Sequence, residues 1–403
     1  MQTNARLAVV VAAVGVAAVA IGGVLAYQQV PEVLGAAAAP LAASPTSTPT
    51  PSNSPSRTPS APPATPLPTP AKPSGTPVTT PPHPGKVQLK VEVDKLTKGR
   101  DPQLPYLVGR EVLGGGGWST KVPGSQSIQQ VERIGNSVLV IVAKRPGKPG
   151  SELLKLDSSG EPERTDNVTS LLTTEGGTAA YVAERTDADG VPTGGGTIYY
   201  RTTEPVPPLK LQVPAAGGNG LKVVGLTDKV YYRAQDGLSG PWKLFEWTPG
   251  DSTAKQVKTV DSPTRVSSDG AVVSSISSAA GGQTCSAVSL LDSGKRLWKS
   301  CEHLITGFSP DHSITIGLAG YGANTPPTKV QVHDTATGKL LREWTGSFGG
   351  AVAEDDQHIL ILAGVEKLGG DWSKSSIIRC EVPTGSCEAA IGLTTSRLSI
   401  SGR

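Results

Sequence analysis

The sequence predicts an all-β fold for residues 87–403, and three observations support that prediction. Short apolar runs alternate with turns rich in Gly, Asp, Ser and Pro, which is typical of strands joined by tight turns. Apolar residues nowhere keep a helical spacing over the length of a helix. One strand–turn–strand unit also recurs along this part of the chain at intervals of ~40–50 residues, as expected of a repeat architecture.

The repeated unit begins with a polar turn that contains Asp, Asn or Gly, next to a tightly apolar strand. It is found six times, at Gly135–Ser137, Gly176–Thr178, Thr227–Lys229, Ser268–Gly270, Pro310–His312 and Asp355–Gln357. After each copy come a third strand, a turn with Gly or Pro, and a fourth strand, as in "VQVHDTATGKLLREW". The six repeats begin near residues 125, 166, 219, 262, 304 and 348.

Four antiparallel strands in each repeat are the unit of a β-propeller, because a lone four-stranded sheet cannot bury both of its faces. A single strand at residues 394–401 follows the sixth repeat, and unpaired strands near 104–113 and 118–123 precede the first. Joining these segments completes a seventh blade and removes an exposed strand edge. The sequence therefore predicts a seven-bladed β-propeller, with six or eight blades as the alternatives.

The most regular repeat lies in residues 307–344. Ser309–Asp311 form a turn between its first two strands, Asp334–Lys339 form its outer hairpin, and Trp344 follows that hairpin. This pattern resembles a WD40-like or PQQ-like propeller repeat. His333 stands where the Trp of a Trp-Asp pair would stand, and the Gly-His dipeptide of a true WD repeat is absent. The resemblance implies the propeller fold and indicates no particular activity.

The N-terminal segment predicts a membrane anchor. Residues 7–26 contain no charged side chain, and 20 such residues in a helix measure about 30 Å, the thickness of a hydrocarbon core. One Arg precedes this run and the next basic residue is Arg57, so the positive-inside rule places residues 1–6 in the cytoplasm. We predict a single-pass signal anchor over residues 7–27. The alternative is a signal peptide cleaved after Ala26, which would give a secreted protein.

Residues 28–86 predict a disordered, Pro-rich stalk. Seventeen of the 35 prolines lie within residues 31–86, mixed with Ser, Thr and Ala, and this composition cannot bury a core. Such a segment prefers extended polyproline II, at about 3.1 Å per residue. The stalk would hold the repeat domain, residues 87–403, clear of the membrane. This layout resembles membrane-anchored propeller proteins of Gram-positive bacteria.

The charge of the repeat domain is balanced. Residues 1–86 hold four of the 37 basic residues and one of the 34 acidic residues, so residues 87–403 carry 33 of each. This balance excludes a strongly basic domain that would bind nucleic acid or an anionic lipid surface.

The four cysteines predict two structural disulfides. Cys285 and Cys301 are centred on Ser293 in a tight turn, and Cys380 and Cys387 flank a Pro-Thr-Gly turn. Residues placed opposite each other on antiparallel strands bring their Cβ atoms close enough to bridge. Metal binding and a redox pair are the alternatives, but neither spacing is Cys-x-x-Cys. Two local disulfides fit an oxidising location outside the cytoplasm.

No catalytic residue, cofactor site or metal site is predicted. None of the five histidines has the spacing of a metal-binding or protease motif. They are His83, His303, His312, His333 and His358. Gly114–Gly117 lack the Lys-Ser/Thr of a phosphate-binding loop and predict a turn. Asp187–Gly190 lack the ligand set of a calcium loop and predict a hairpin loop that continues through Gly196. Trp298 and Trp344 follow similar Gly-Lys turns and predict packing between blades.

These features favour a non-enzymatic role outside the cell. We expect the propeller to bind a protein, a peptide or cell-wall glycan, or to act as a scaffold. By analogy with other propellers, the turns between consecutive repeats are the expected binding loops, near 158–166, 214–220, 260–264, 301–305 and 346–350. The alternative is a propeller enzyme with an active site on the channel face, such as a hydrolase, a lyase or a quinoprotein-like enzyme.

Overall fold

The computed structural model describes residues 87–115, 117–144, 148–157, 161–215, 218–236, 240–278, 284–319, 326–366 and 372–402. The predicted anchor over residues 7–27 and the predicted stalk over residues 28–86 lie outside the described residues. Within the described ranges, no helix is long and apolar enough to cross a membrane.

The described residues form seven sheets, each of which contributes four antiparallel strands to a blade. The chain begins with β1 (Gln88–Lys90), one 3₁₀ turn (Val93–Lys95), β2 (Tyr106–Val108), β3 (Glu111–Gly114) and β4 (Trp118–Lys121). Blade 1 consists of β5 (Ile128–Ile134), β6 (Ser137–Ala143), β7 (Ser151–Leu156) and β8 (Glu163–Asp166). Blade 2 consists of β9 (Val168–Thr173), β10 (Ala179–Thr186), β11 (Pro192–Arg201) and β12 (Leu209–Val213). Blade 3 consists of β13 (Asn219–Leu226), β14 (Val230–Gln235), β15 (Trp242–Trp247) and β16 (Lys255–Asp261).

The second half of the ring repeats this order. Blade 4 consists of β17 (Pro263–Val266), β18 (Val272–Ser278), β19 (Thr284–Leu290) and β20 (Arg296–Ser300). Blade 5 consists of β21 (His303–Phe308), β22 (Ile314–Ala319), β23 (Lys329–Asp334) and β24 (Leu340–Thr345). Blade 6 consists of β25 (Phe348–Ala353), β26 (His358–Glu366), β27 (Trp372–Glu381) and β28 (Cys387–Thr394). The last strand is β29 (Leu398–Ile400).

Blade 7 closes the ring with strands from both ends of the repeat domain. Its order is β29-β2-β3-β4, and the register pairs Tyr106 with Ile400 and Val108 with Leu398. The backbone N–H of Ser401 extends this ladder by donating to the carbonyl of Pro105 at 2.9 Å. The predicted seven blades and the predicted mode of closure are therefore confirmed. As the first strand of its blade, β29 takes the same innermost position as β5, β9, β13, β17, β21 and β25.

The core lies between the faces of neighbouring blades. Because each blade is covered on both faces, its inner strands are continuous apolar runs and do not alternate between apolar and polar residues. In β6 and β22, Val138–Val142 and all of Ile314–Ala319 are buried. The cluster between blades 5 and 6 includes Trp344 and Phe348, both fully buried.

The segment before blade 7 adds a feature that the sequence analysis did not predict. Strand β1 pairs in parallel with β24, at the outer edge of blade 5, and Lys98 then forms a bridge with Ala389 of blade 6. The buried Arg379 fixes this segment, since its Nη1 donates to the carbonyl of Arg100 at 2.8 Å. The same guanidinium donates to Glu354 Oε1 at 2.7 Å, so its charge is paired where it is buried. The chain thus passes along blades 5 and 6 before it enters the ring.

Both predicted disulfides are present. Cys285 is bonded to Cys301 at the end of the β19–β20 hairpin, with a Cα–Cα distance of 3.9 Å. Cys380 is bonded to Cys387, its direct register partner on β28, with a Cα–Cα distance of 4.1 Å. The first bond therefore ties β19 to the residue after β20 in blade 4, and the second joins β27 to β28 in blade 6.

Candidate binding site at the channel mouth

A cavity of about 290 Å³ lies where five innermost strands end. Strands β9, β13, β17, β21 and β25 contribute their carboxyl ends or the turns that follow them. Its apolar lining comes from Leu172, Leu226, Val266, Phe308, Pro310 and Ala353. Its charged lining residues are Arg265 and Glu175. We call this region the channel mouth.

Two turns at the channel mouth are built alike. In the blade 4 turn, Ser267 Oγ donates to Asp269 Oδ1 at 2.6 Å and accepts from the N–H of Val272 at 3.0 Å. In the blade 5 turn, Ser309 Oγ donates to Asp311 Oδ1 at 2.6 Å, and the same hydroxyl accepts from a backbone N–H. Short polar side chains thus satisfy the turn backbone, which fixes each turn before any ligand binds.

Contacts between blades hold neighbouring turns together at the channel mouth. Ser268 Oγ donates to the carbonyl of Pro310 at 2.6 Å, so the blade 4 turn is tied to the blade 5 turn. The N–H of Asp311 donates to Asp356 Oδ1 at 2.9 Å, which ties blade 5 to blade 6 in the same way. The rim of the cavity is therefore preorganised, and a ligand would not have to order it.

Glu132 forms a buried junction between three blades. This blade 1 carboxylate accepts from Thr173 Oγ1 of blade 2 at 2.8 Å and from the N–H of Gly402 at 3.1 Å. It also accepts from Ser401 Oγ, next to β29 of blade 7, and from Gln130 Nε2 at 3.2 Å. Burial raises the pKa of Glu132, and these hydrogen bonds oppose that increase. The contacts with Thr173, Ser401 and Gly402 link blade 1 to blades 2 and 7, so this carboxylate stabilises the closed ring.

Three basic residues converge between blades 3 and 4. Lys222 on β13 is the register partner of Arg233 on β14, so the two side chains share one face of blade 3. Arg233 is buried, stacks 4.2 Å from the ring centroid of Trp242, and donates to the carbonyl of Pro263 in blade 4. Burial lowers the pKa of Lys222 well below its usual value, and the charges of Arg233 and Arg265 lower it further. Arg265, which lines the cavity, therefore belongs to this cationic cluster.

Two histidines separated in sequence lie together between blades 4 and 5. The rings of His303 and His333 are stacked with centroids 4.4 Å apart, and Trp298 of blade 4 stacks on His333 at 5.6 Å. Both histidines are buried, and their Nε2 atoms have no hydrogen-bond partner among the residues that the structure describes. Burial is the main cause that lowers the pKa of His303 to about 4, and the charge of His333 adds to it. Burial also lowers the pKa of His333.

The sequence did not predict this histidine pair because no local spacing signals it. His303 starts the first strand of blade 5, while His333 lies on the third. Within the described ranges, no group of three or more His, Cys, Asp and Glu residues could hold a metal ion.

Trp298 and Trp344 confirm the predicted packing between blades. Trp298 Nε1 donates to the carbonyl of Thr335 in blade 5 at 2.8 Å. Trp344 Nε1 donates to the carbonyl of Gly385 in blade 6 at 3.1 Å. Each indole therefore reaches the outer hairpin of the next blade.

The glycine-rich segments differ in part from the prediction. Gly115 and Gly117 lie in the turn between β3 and β4, as predicted, and Gly116 is outside the described residues. Asp187 Oδ1 accepts from two backbone N–H groups inside the predicted β10–β11 hairpin loop. That loop does not continue through Gly196, however, because Gly194–Gly196 belong to β11. A Cβ at Gly196 would lie 2.4 Å from the carbonyl oxygen of Ala183, so close approach of two strands explains this glycine.

The cavity lies at the opposite end of the innermost strands from the turns that the sequence analysis selected. Those turns precede the innermost strands, whereas the lining residues follow them.

The predicted segment 158–166 is also wrong as a connection between repeats. It lies after β7 and includes all of β8, and Asn167 alone, at a φ of 58°, joins blade 1 to blade 2. Asn is one of the few residues that adopt this conformation readily.

No family model and no curated protein match this sequence. Among solved structures, TolB from Acinetobacter baumannii is similar at 15% identity, over 69% of this chain and 68% of that one, with a TM-score of 0.41. The β-propeller domain of the Trilobed protease from Pyrococcus furiosus is similar at 9% identity, over 66% and 85%, with a TM-score of 0.46. A prolyl endopeptidase is similar at 14% identity, over 75% of this chain and 50% of that one, with a TM-score of 0.48. At these identities the similarity concerns the fold alone.

Proposed function

We propose that this chain is a membrane-anchored, extracytoplasmic binding module that receives part of a protein or peptide at the channel mouth. The anchor over residues 7–27 and the stalk over residues 28–86 would hold the propeller outside the membrane. The two disulfides support this location, because such bonds form and persist in oxidising compartments.

The cavity where five innermost strands end is the observation that carries the binding proposal. It is concave, its lining is more apolar than polar, and it has a few polar and charged groups, which are properties of a binding pocket. Hydrogen bonds between the turns of blades 4, 5 and 6 preform its rim. A rim that is already ordered reduces the entropy lost when a partner binds.

The binding face can be tested by photo-crosslinking in cells that produce the full-length chain. p-Benzoylphenylalanine would replace Ser268, an exposed residue of the cavity lining, or Glu302, an exposed residue of the turn between blades 4 and 5. We expect a discrete protein or peptide adduct with the probe at position 268 and none with the probe at position 302. Adducts only at position 302 would reject the channel mouth, and no adduct at either position would reject the binding role.

The location can be tested separately on intact cells. A membrane-impermeant amine reagent should label the lysines of the propeller, for example the exposed Lys255. Failure to label this lysine in intact cells, together with labelling after lysis, would contradict the extracytoplasmic location.

A further inference from the structure

Blades 4 and 5 meet in two polar contacts at opposite ends of β21. The first, which we call the histidine layer, consists of Trp298 of blade 4 and of His303 and His333 of blade 5. The imidazoles are stacked 4.4 Å apart, and the indole lies 6.1 Å from one and 5.6 Å from the other. His303 begins β21, whereas Phe308 at the other end of this strand lines the cavity, so the layer starts away from the channel mouth.

The hydrogen bonds of the histidine layer suit neutral rings. His333 Nδ1 donates to the carbonyl of Gly338 at 3.1 Å, and His303 Nδ1 shares a hydrogen bond with Ser300 Oγ at 3.2 Å. A charged imidazole needs an acceptor for each of its two N–H groups. Among the residues that the structure describes, neither Nε2 atom has one, and both side chains are more than nine-tenths buried.

The charged groups near the layer do not offset its burial. Glu302, in the turn before β21, and Glu343, on β24, favour a charge on His333, but Glu343 is already paired with Lys329 at 3.2 Å. Burial is the main cause that lowers the pKa of His333, and it also lowers that of His303, to about 4. Two charged rings 4.4 Å apart would in addition repel each other.

The second contact, which we call the rim pair, lies at the channel mouth and has the opposite response to protons. His312 Nδ1 in the blade 5 turn lies 3.0 Å from Asp269 Oδ2 in the blade 4 turn. Their side chains are 37% and 43% exposed, so His312 can gain a proton from solvent and then attract the carboxylate. The hydrogen bond from Ser268 to Pro310 joins the same two turns.

We propose that the contact between blades 4 and 5 is an acid-operated joint. When His303 and His333 gain protons, the histidine layer opens and the two blades separate there, while His312 and Asp269 hold the turns together at the channel mouth. Return to neutral pH restores the stack. This conformational device is independent of the proposed binding function.

Proton linkage gives the direction and the size of the effect. His303 binds a proton more weakly in the closed layer than in solvent, where a value of about 6.5 is expected. The closed form is therefore fully favoured above pH 6.5 and loses this preference as the pH falls towards 4. For His303 alone, each pH unit in this window favours the open form by about tenfold.

The test is pulsed hydroxyl-radical labelling of the purified full-length protein, which oxidises side chains that reach solvent. Mass spectrometry compares the labelling of His303 and His333 at pH values of about 7 and about 4.5. A histidine-containing reporter peptide in each sample corrects for the effect of pH on the reaction. We expect labelling of both rings to rise by about tenfold or more at the lower pH, whereas Trp344, fully buried between blades 5 and 6, should not change.

Variants assign the opening to the histidine layer. His303→Phe keeps an aromatic ring in the stack and removes one titrating group, so the acid-induced labelling of His333 should fall by about tenfold. His358→Gln is the matched control, because this histidine contacts Asp355 within blade 6, and its acid response should equal that of the wild type. Circular dichroism at neutral pH shows whether each variant folds, and His333→Phe tests the same prediction if His303→Phe does not.

His312→Gln tests the rim pair. In the wild type, labelling of Phe308 beside the cavity should stay constant between the two pH values. Without the charge of His312, acid should separate the blades at this end as well, so labelling of Phe308 should rise together with that of His303.

Several results would overturn the acid-operated joint. Constant labelling of His303 and His333 over this pH range would do so, as would an acid response that persists in His303→Phe. An equal rise at Trp344 would show a general loosening of the ring instead of a joint. Constant labelling of Phe308 in His312→Gln would overturn the role of the rim pair. None of these outcomes depends on a ligand, so they leave the proposed binding function untouched.

Discussion

Two kinds of contact between blades can be compared in this ring. On the outer side of blades 4, 5 and 6, Trp298 and Trp344 each donate an N–H to a carbonyl in the next blade. On the channel side of blades 3 and 4, the contact is built from Lys222, Arg233 and Arg265. The outer contacts join apolar surface with satisfied hydrogen bonds, whereas the inner contact brings like charges together.

The difference separates a contact that stabilises the ring from one that carries an electrostatic cost. A buried indole with its N–H satisfied contributes to stability without a ligand. Like charges that are partly desolvated decrease stability, and functional sites are where proteins retain such arrangements. The outer contacts should therefore contribute more to the free energy of unfolding than the inner contact does.

The largest effect is expected for Trp344→Ala. This side chain is fully buried in the core between blades 5 and 6, and its replacement leaves both a cavity and an unpaired carbonyl at Gly385. We expect the free energy of unfolding to fall by about 3–5 kcal/mol, measured by urea denaturation. Trp298→Ala is the internal comparison and should lower the free energy of unfolding by less, because Trp298 is only half-buried. A loss below about 1 kcal/mol for Trp344→Ala would contradict the role assigned to the outer contacts.

Acid should weaken the contact between blades 4 and 5 through its histidine pair. His303 has a pKa of about 4 in the folded protein, below the value of about 6.5 expected when unfolded. Between these two pH values the unfolded state therefore binds more protons than the folded state. The contribution of His303 to the free energy of unfolding is fully present above pH 6.5 and is lost as the pH falls towards 4. This loss amounts to about 3 kcal/mol for His303.

The measurement compares the wild type with His303→Phe in urea denaturation at several pH values. The variant keeps an aromatic ring beside His333 and removes the titrating group. We expect its stability to fall less steeply between pH 6.5 and 4 than that of the wild type. Parallel curves for the two proteins would show that His303 does not contribute to the acid sensitivity.

The sequence predicts the ring well because the signals for it are local. Each blade is one repeat of strand and turn, so seven blades and the closing strand at residues 394–401 follow from spacing alone. The two disulfides follow because each cysteine pair flanks its own hairpin. Strand β1 was missed because it is three residues long and pairs with Glu343–Thr345, far along the chain.

The candidate site could not be predicted in the same way. Arg265 and Lys222 belong to different blades, and neither lies in a motif, so only the closed ring brings them together. The same holds for His303 and His333, which become neighbours because Gly317 on the intervening strand leaves room for the ring of His303. The turns predicted as binding loops lie at the end of the channel opposite the cavity, because the analogy with other propellers identifies loops and not the side chains that line a cavity.

The smallest and most diagnostic effect is expected for Lys222→Met. This change removes a charge that Arg233 and Arg265 oppose, and it retains much of the side chain's volume. We expect the free energy of unfolding to rise by about 0.5–1 kcal/mol, because the variant removes a desolvated positive charge. Urea denaturation of the wild type, Lys222→Met and the exposed control Lys255→Gln measures the difference, and the control should stay within about 0.5 kcal/mol of the wild type. A destabilised Lys222→Met protein would show that the inner cluster supports the fold, and the contrast between the two kinds of contact would then fail.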